Sequence, residues 1–227
     1  MLAASQARID PADRGFLLGD GVFETMRVAG AGLPLCPPHG PAGPGAAVLH
    51  MPPPDMAVLS AGVDALLGAC ALVSGSLRLT LTRGTGPRGL LPPAPVVPTC
   101  LITATAGMPP STPVRLVTST HRRDAAGVLS RIKSLNYLPS ILARMEAAAQ
   151  GADDALLLNH AGHVAETSAS TLVACMGAAC HPRSAMARCP VRCGACWWMR
   201  AWSGSGASKP PGCMKRRPFC PEQPWRA

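Results

Sequence analysis

LPSILARMEAAAQ (Leu138–Gln150) and, two residues later, DDALLLNHAGHVAETSAST (Asp153–Thr171) read as a helix followed by a β-hairpin. Pro139 suits a first helical position, Ile141, Leu142 and Met145 share a face at helical spacing, and Gly151 can terminate the helix. Asp154–Leu158 is a short apolar strand, Asn159-His-Ala-Gly162 supplies turn residues, and the chain returns from His163 toward Ala174 as a second strand.

Working toward the N-terminus, Ser76–Thr82 (SLRLTLT) alternates Leu77, Leu79 and Leu81 with Arg78, Thr80 and Thr82, the period of a half-buried strand. Gly84–Gly89 then turns the chain. Pro98–Thr105 and Val114–Thr118 are further strand candidates, and Asp64–Leu72 is a second helix candidate. The expected class is α/β. Two stretches carry neither period: Leu33–Gly45 (LPLCPPHGPAGPG), which reads as a Pro/Gly linker, and Cys180–Ala227, rich in Pro, Gly, Ser and Arg.

At 227 residues with 48% hydrophobic content the chain can bury a sizeable core. No run of about 18 apolar residues free of Pro or charge is present, which excludes a membrane-spanning helix. Met1–Pro11 carries Arg8 and Asp10 where a signal peptide needs an apolar run, so a cytoplasmic protein is expected. The net charge of +9 is concentrated at one end. From Cys175 to Ala227 nine Lys or Arg face the single acid Glu222, which leaves +1 for Met1–Ala174. The same tail holds all four tryptophans and seven of the ten cysteines. Nucleic-acid binding by this tail is disfavoured, because no periodic scaffold presents its charge. Cys193-Gly-Ala-Cys196, with His181, Cys189, Cys213 and Cys220, lacks a second pair at ordinary zinc spacing, so no metal site is expected.

Two residues carry the chemistry. Lys133, in Arg131-Ile-Lys-Ser-Leu-Asn-Tyr137, sits just ahead of the apolar helix. Apolar surroundings destabilise the ammonium and leave the amine available to attack a carbonyl. Glu166, in Val164-Ala-Glu-Thr-Ser-Ala-Ser-Thr171, is one acid within a small, hydroxyl-rich strand. A buried carboxylate there needs a cationic partner or several hydrogen bonds, and a pyridinium nitrogen would serve.

Asp13-Arg-Gly-Phe-Leu-Leu-Gly-Asp-Gly-Val-Phe-Glu-Thr25, Thr82-Arg-Gly-Thr-Gly-Pro-Arg-Gly89, Ile132-Lys-Ser-Leu-Asn-Tyr137 and Ala165-Glu-Thr-Ser-Ala-Ser170 occur in that order. Together they resemble the class IV pyridoxal-phosphate enzymes, which include branched-chain and D-amino-acid aminotransferases and aminodeoxychorismate lyase. The resemblance implies a fold-type IV architecture, with an N-terminal α/β domain over 1–120 and the start of a cofactor-binding domain over 121–174. It leaves 33–46 and the tail 175–227 outside the family pattern, the tail being expected to lack order. By the same resemblance Lys133 is the lysine that holds pyridoxal phosphate, and Glu166 pairs with its ring nitrogen. Tyr137 approaches the ring's phenolic oxygen, and Ser168 and Ser170 line the cofactor. Arg88 binds a substrate carboxylate, to which a guanidinium fork is suited. The partners implied are an amino acid, branched-chain favoured, a 2-oxo acid, and a second copy of the chain. The compact Lys-x-Leu-Asn spacing after Lys133 is that of the lyase and D-amino-acid branches, whereas Asn136-Tyr137 matches the branched-chain pair. Transaminase therefore comes first and pyruvate-releasing lyase second.

The family also has a His-x-x-Arg-Leu helix where this chain has Leu33–Gly45, and a late helix-opening loop that grips phosphate where it has Cys180–Ala227. Permissible codons for Pro38–Gly45, read one nucleotide later, encode His-Met-Ala-Arg-Leu-Ala-Arg-Gly, and codons from His181 shifted by two restore family-like text. Frame shifts near residues 33–46 and after about residue 175 account for both departures and for the clustered Cys, Trp and Arg. Weak or absent activity of the chain is the consequence.

Overall fold

The computed structural model describes residues 2–29, 42–107, 113–176, 179–181, 196–200 and 214–216. Most of the aperiodic stretches, including Cys193, Cys213 and Cys220, lie outside the described residues. The chain divides into two compact units. Among the described residues one unit holds 2–107 together with Arg131–Asn136, and the other holds 113–130 and most of the chain from Tyr137 onward.

In the first unit α1 (Arg14–Leu18), β1 (Gly21–Val28), α2 (Ala42–Val48), α3 (Met56–Cys70), β2 (Gly75–Thr82) and β3 (Thr99–Ala106) come in order. The strands form one antiparallel sheet, β1-β2-β3. The register sets Val22 opposite Leu81, Glu24 opposite Leu79 and Met26 opposite Leu77. The alternation of Ser76–Thr82 is realised, with Leu77, Leu79 and Leu81 all buried. They pack with Val22, Met26, Val28, Ala46, Leu59 and Val63 into one core, where each fully buried aliphatic side chain contributes about 1.5–3 kcal/mol. Helix α3 begins well before the expected Asp64, because Asp55 caps it through Ala57 N–H at 2.9 Å and Val58 N–H at 3.2 Å. Leu59 and Val63, four residues apart, turn into the core. The expected linker is partly helical, since α2 starts at Ala42. Its small residues explain this: Ala46 is fully buried, and a Cβ on Gly45 would stand 3.0 Å from Val22 Cγ1, so the helix approaches β1 closely.

The second unit holds β4 (Pro113–Val114), β5 (Leu116–Arg123), α4 (Leu138–Ala149), β6 (Asp154–Asn159), β7 (Val164–Thr167) and β8 (Thr171–Met176). Strands β5 and β6 are parallel, with α4 between them in the chain, and β6 and β7 form the expected hairpin. The returning strand, however, ends at Thr167, where a turn closed by Ser170 breaks it, and Thr171 onward pairs in another sheet rather than continuing it toward Ala174. The described parts of the tail are short strands, β9 (Ala179–His181), β10 (Cys196–Arg200) and β11 (Met214–Arg216). They join β4 and β8 in the order β4-β11-β10-β8-β9.

The face of α4 that Ile141, Leu142 and Met145 share is not the one that packs. Ile141, Leu142 and Met145 are exposed, and the buried residues are Ala143 and Ala147, packed with Ala155 and Leu157. The cause is polar as well as steric. Glu146, on the same side as Ala143, accepts hydrogen bonds from Thr120 N–H at 3.0 Å and from the Ser119 hydroxyl, which fixes the helix on β5 through its small face. Among the described residues no helix is long and apolar enough to cross a membrane.

Candidate active site

β1 is an edge strand, and the chain returns along its free side at Ile132–Leu135. Phe23 N–H donates to the Lys133 carbonyl at 2.8 Å, Leu135 N–H donates to the Gly21 carbonyl at 3.0 Å, and Val22 bridges Ser134. Ile132 is anchored in the core and Ser134 is buried. Lys133 is therefore held at both flanks by backbone pairing, with its side chain 18% exposed.

Its amine meets a carboxylate absent from the set of residues expected from sequence. Lys133 Nζ lies 2.9 Å from Glu24 Oε1. Glu24 is on the core-facing side of β1 and is 1% exposed. Its Oε1 also accepts from Thr25 N–H at 3.0 Å, whereas Oε2 is buried without a hydrogen-bond partner. A buried carboxylate is costly unless paired, so Lys133 stabilises Glu24 as much as Glu24 restrains Lys133. The ammonium also stands 5.7 Å from the Phe23 ring centroid, and the Arg78 guanidinium sits 3.8 Å from the same ring. The signal for Glu24 in the sequence is an acid among apolar residues in Gly-Val-Phe-Glu-Thr.

A charged cluster lies where the sequence shows only a motif. Asp20 Oδ2 pairs with Arg14 Nε at 2.9 Å and with Arg83 Nε at 2.8 Å, both arginines being buried. Burial raises the Asp20 pKa, but hydrogen bonds and charge from Arg83 and Arg14 outweigh it and hold the carboxyl below its ordinary value. The stabilisation this gives is complete above the unfolded-state value and is lost as pH falls through the lower folded-state value. In urea titrations the stability advantage over Asp20→Asn is expected to be constant from about pH 5 to 7 and to shrink below about pH 4. An advantage that grows on acidification would contradict the cluster's assigned role. Asp13 is fully buried beside it, caps α1 through Gly15 and Phe16 N–H, and accepts from Thr82 Oγ1 at 2.8 Å. Arg88 is exposed on the following loop, with no hydrogen bond or ion pair among the described residues.

In the second unit Glu166, on β7, has its Oε1 2.7 Å from Arg123 Nε at the end of β5. The Nε–H is not aimed at the oxygen, so the contact is an ion pair without a hydrogen bond. Burial raises the Glu166 pKa, and the Arg123 charge offsets this in part. The carboxylate is under-compensated and fits a second cationic donor, such as a protonated ring nitrogen. Ser168 is buried with its hydroxyl on Asp154, whose Oδ1 also holds Ala155 N–H at 2.7 Å and Arg144 Nη1 at 3.2 Å. Ser170 closes a turn on Thr167 through its backbone, and its hydroxyl makes no hydrogen bond among the described residues. Tyr137 is half-buried at the start of α4, and its carbonyl accepts from Ile141 N–H at 2.9 Å.

Residues 21–180 match the family model described as Amino-transferase class IV, a span that contains the Lys133–Glu24 pair and Glu166. The chain belongs to the class IV aminotransferases. This class IV chain is 33% identical over 167 residues to a protein named as a branched-chain-amino-acid aminotransferase from Methanocaldococcus jannaschii. That match covers 70% of this chain and 57% of the relative, so the chain spans little more than half the relative's length. It is similar in structure to the 4-amino-4-deoxychorismate lyase of Pseudomonas aeruginosa, at 27% identity and a TM-score of 0.64, covering 82% of this chain and 69% of the lyase. It is similar also to a fold IV-transaminase from Curtobacterium pusillum, at 27% identity and a TM-score of 0.61. That likeness covers 74% of this chain and 60% of the other. The fold class expected from sequence, α/β of fold-type IV, holds for this class IV chain.

Proposed function

We propose that the chain carries pyridoxal phosphate and belongs to the amino-transfer branch of its family, moving an amino group between an amino acid, branched-chain favoured, and a 2-oxo acid. The observation that carries the reading is a lysine amine fixed 2.9 Å from a buried carboxylate, within a span that matches the class IV family. The cofactor, when bound, supplies an electron sink for charge developed at the substrate Cα. Lys133 would hold it through Nζ, and its amine would be the group placed to take and return the proton at the substrate Cα. Glu24 orients that amine, since its Oε1 is the group the Nζ faces. Glu166, backed by Arg123, is the carboxylate that would hold the ring nitrogen. Tyr137 and the Ser170 hydroxyl contribute polar contacts to the cofactor, whereas Ser168, tied to Asp154, contributes by holding the turn. Arg88 pairs with the substrate carboxylate.

A second copy of the chain in a cytoplasmic homodimer is part of this reading, supported by the exposed apolar Phe16, Leu17, Leu90 and Leu91. Turnover by the 227-residue chain is weak, because the arginine-bearing helix and the late phosphate loop of the family are replaced by Leu33–Gly45 and Cys180–Ala227. Pyruvate release from aminodeoxychorismate is the alternative, supported by the lyase similarity. The test pairs leucine plus 2-oxoglutarate with aminodeoxychorismate, on the chain and on a frame-repaired version. Glutamate formation from the first pair supports transfer. Pyruvate from the second, without glutamate from the first, replaces it with the lyase reading.

A further inference from the structure

Arg14 is 3% exposed, yet its guanidinium is directed at a surface loop. Nη1 donates to the Gly89 carbonyl and Nη2 to the Leu90 carbonyl, both at 2.9 Å, while Nε is held by Asp20. On the other side of Arg88 the same short helix region fixes the chain again: Gly86 N–H donates to the Ala12 carbonyl at 3.3 Å, Arg14 N–H to the Gly84 carbonyl at 2.8 Å, and Asp13 bridges Thr85. Asp20 is shared with Arg83, whose Nη2 is in turn occupied by the Leu49 carbonyl at 2.7 Å. The Arg14 fork is therefore committed to the two carbonyls that come directly after Arg88, and Gly89 adopts φ +116°, a conformation suited to glycine. The loop is pinned before and after an arginine that is itself exposed and without partners among the described residues.

We propose that Arg14 is a positioning residue for carboxylate recognition, holding the backbone on which Arg88 stands. The proposal rests on the reading of Arg88 as the substrate-carboxylate ligand. Fixing the backbone in advance removes the ordering cost from binding, so the affinity of Arg88 for a carboxylate depends on a buried residue that never touches it. Lysine in place of Arg14 keeps the charge near Asp20 but cannot form the planar fork that reaches two carbonyls.

The test uses the full 227-residue chain and trypsin, with the peptide ending at Arg88 counted by mass spectrometry and 2-oxoglutarate as the carboxylate probe. Cleavage after Arg88 is expected to be about tenfold faster in Arg14→Lys than in the wild type, since the loop then opens more often. The 2-oxoglutarate concentration that half-protects the bond is expected to rise about tenfold in Arg14→Lys. Equal unprotected cleavage rates would overturn the brace. Equal half-protecting concentrations would overturn its role in recognition. An absence of protection in the wild type would overturn the Arg88 reading instead, leaving the brace to be judged by the unprotected rates. If Arg14→Lys shows no cooperative thermal transition, Asp20→Asn replaces it. That variant removes the carboxylate charge that anchors Arg14 Nε, leaving at most a weaker neutral hydrogen bond, while keeping both arginines, and carries the same expected directions.

Discussion

Lys133→Met is expected to remove all pyridoxal label trapped by borohydride on the chain and, in the absence of cofactor, to lower its stability by about 2–3 kcal/mol. The first effect follows from chemistry: an amine is needed to condense with the aldehyde, and Lys133 is the amine held against a buried carboxylate. The second follows from Glu24, which is 1% exposed and has one oxygen without a partner even when Lys133 is present. Removing the cation leaves an uncompensated buried charge, which costs roughly 3–5 kcal/mol in a fully buried pair, reduced here because Lys133 retains some solvent. The double variant Lys133→Met, Glu24→Gln should recover much of the loss, since an amide carries no charge to desolvate. Peptide mapping of the reduced label and urea denaturation of the three chains measure both effects. Label that persists elsewhere at wild-type yield, or a double variant no more stable than the single, would break the link between amine and carboxylate.

Gly84→Ala is expected to be the most damaging change in the loop that carries Arg88. Gly84 has φ +81°, and an added Cβ would overlap the Val97 carbonyl oxygen and stand 3.0 Å from its carbon. Both obstacles are backbone, so no side-chain rotation relieves them. Strain and overlap together should cost about 3–5 kcal/mol. The Gly84 carbonyl also receives Arg14 N–H, so displacement here loosens the contacts around Arg88. Gly89→Ala is the control: φ is +116°, but nothing lies within 4 Å of the added Cβ, and the strain alone should cost about 1–2 kcal/mol. Denaturation midpoints of the two variants compare them directly. A Gly84→Ala chain as stable as Gly89→Ala would show that the Val97 backbone yields at little cost.

Local pattern makes much of the fold legible. Leu77, Leu79 and Leu81 announce β2 by alternation, and Leu138–Gln150 followed by the turn residues Asn159–Gly162 announces a helix and a hairpin. The start of α3 is hidden by Pro52-Pro-Pro54, which reads as a breaker although the next residue, Asp55, is a good cap. The buried face of α4 is not legible from residue size, because its alanines allow the closest approach to β5 and β6 while the larger side chains stay outside.

The sequence by itself determined the alternating helices and strands, the candidate Lys133 and Glu166, and through four ordered motifs the class IV family, because these depend on residues near one another in the chain. The tertiary structure alone decided that Lys133 runs along the free edge of β1, 109 positions from the carboxylate it meets, and that Arg14 reaches across 75 and 76 positions to Gly89 and Leu90. Such partners are set by strand register and by the need to compensate buried charge. Neither leaves a periodic mark, since pairing distant residues depends on how the whole sheet closes and not on local spacing.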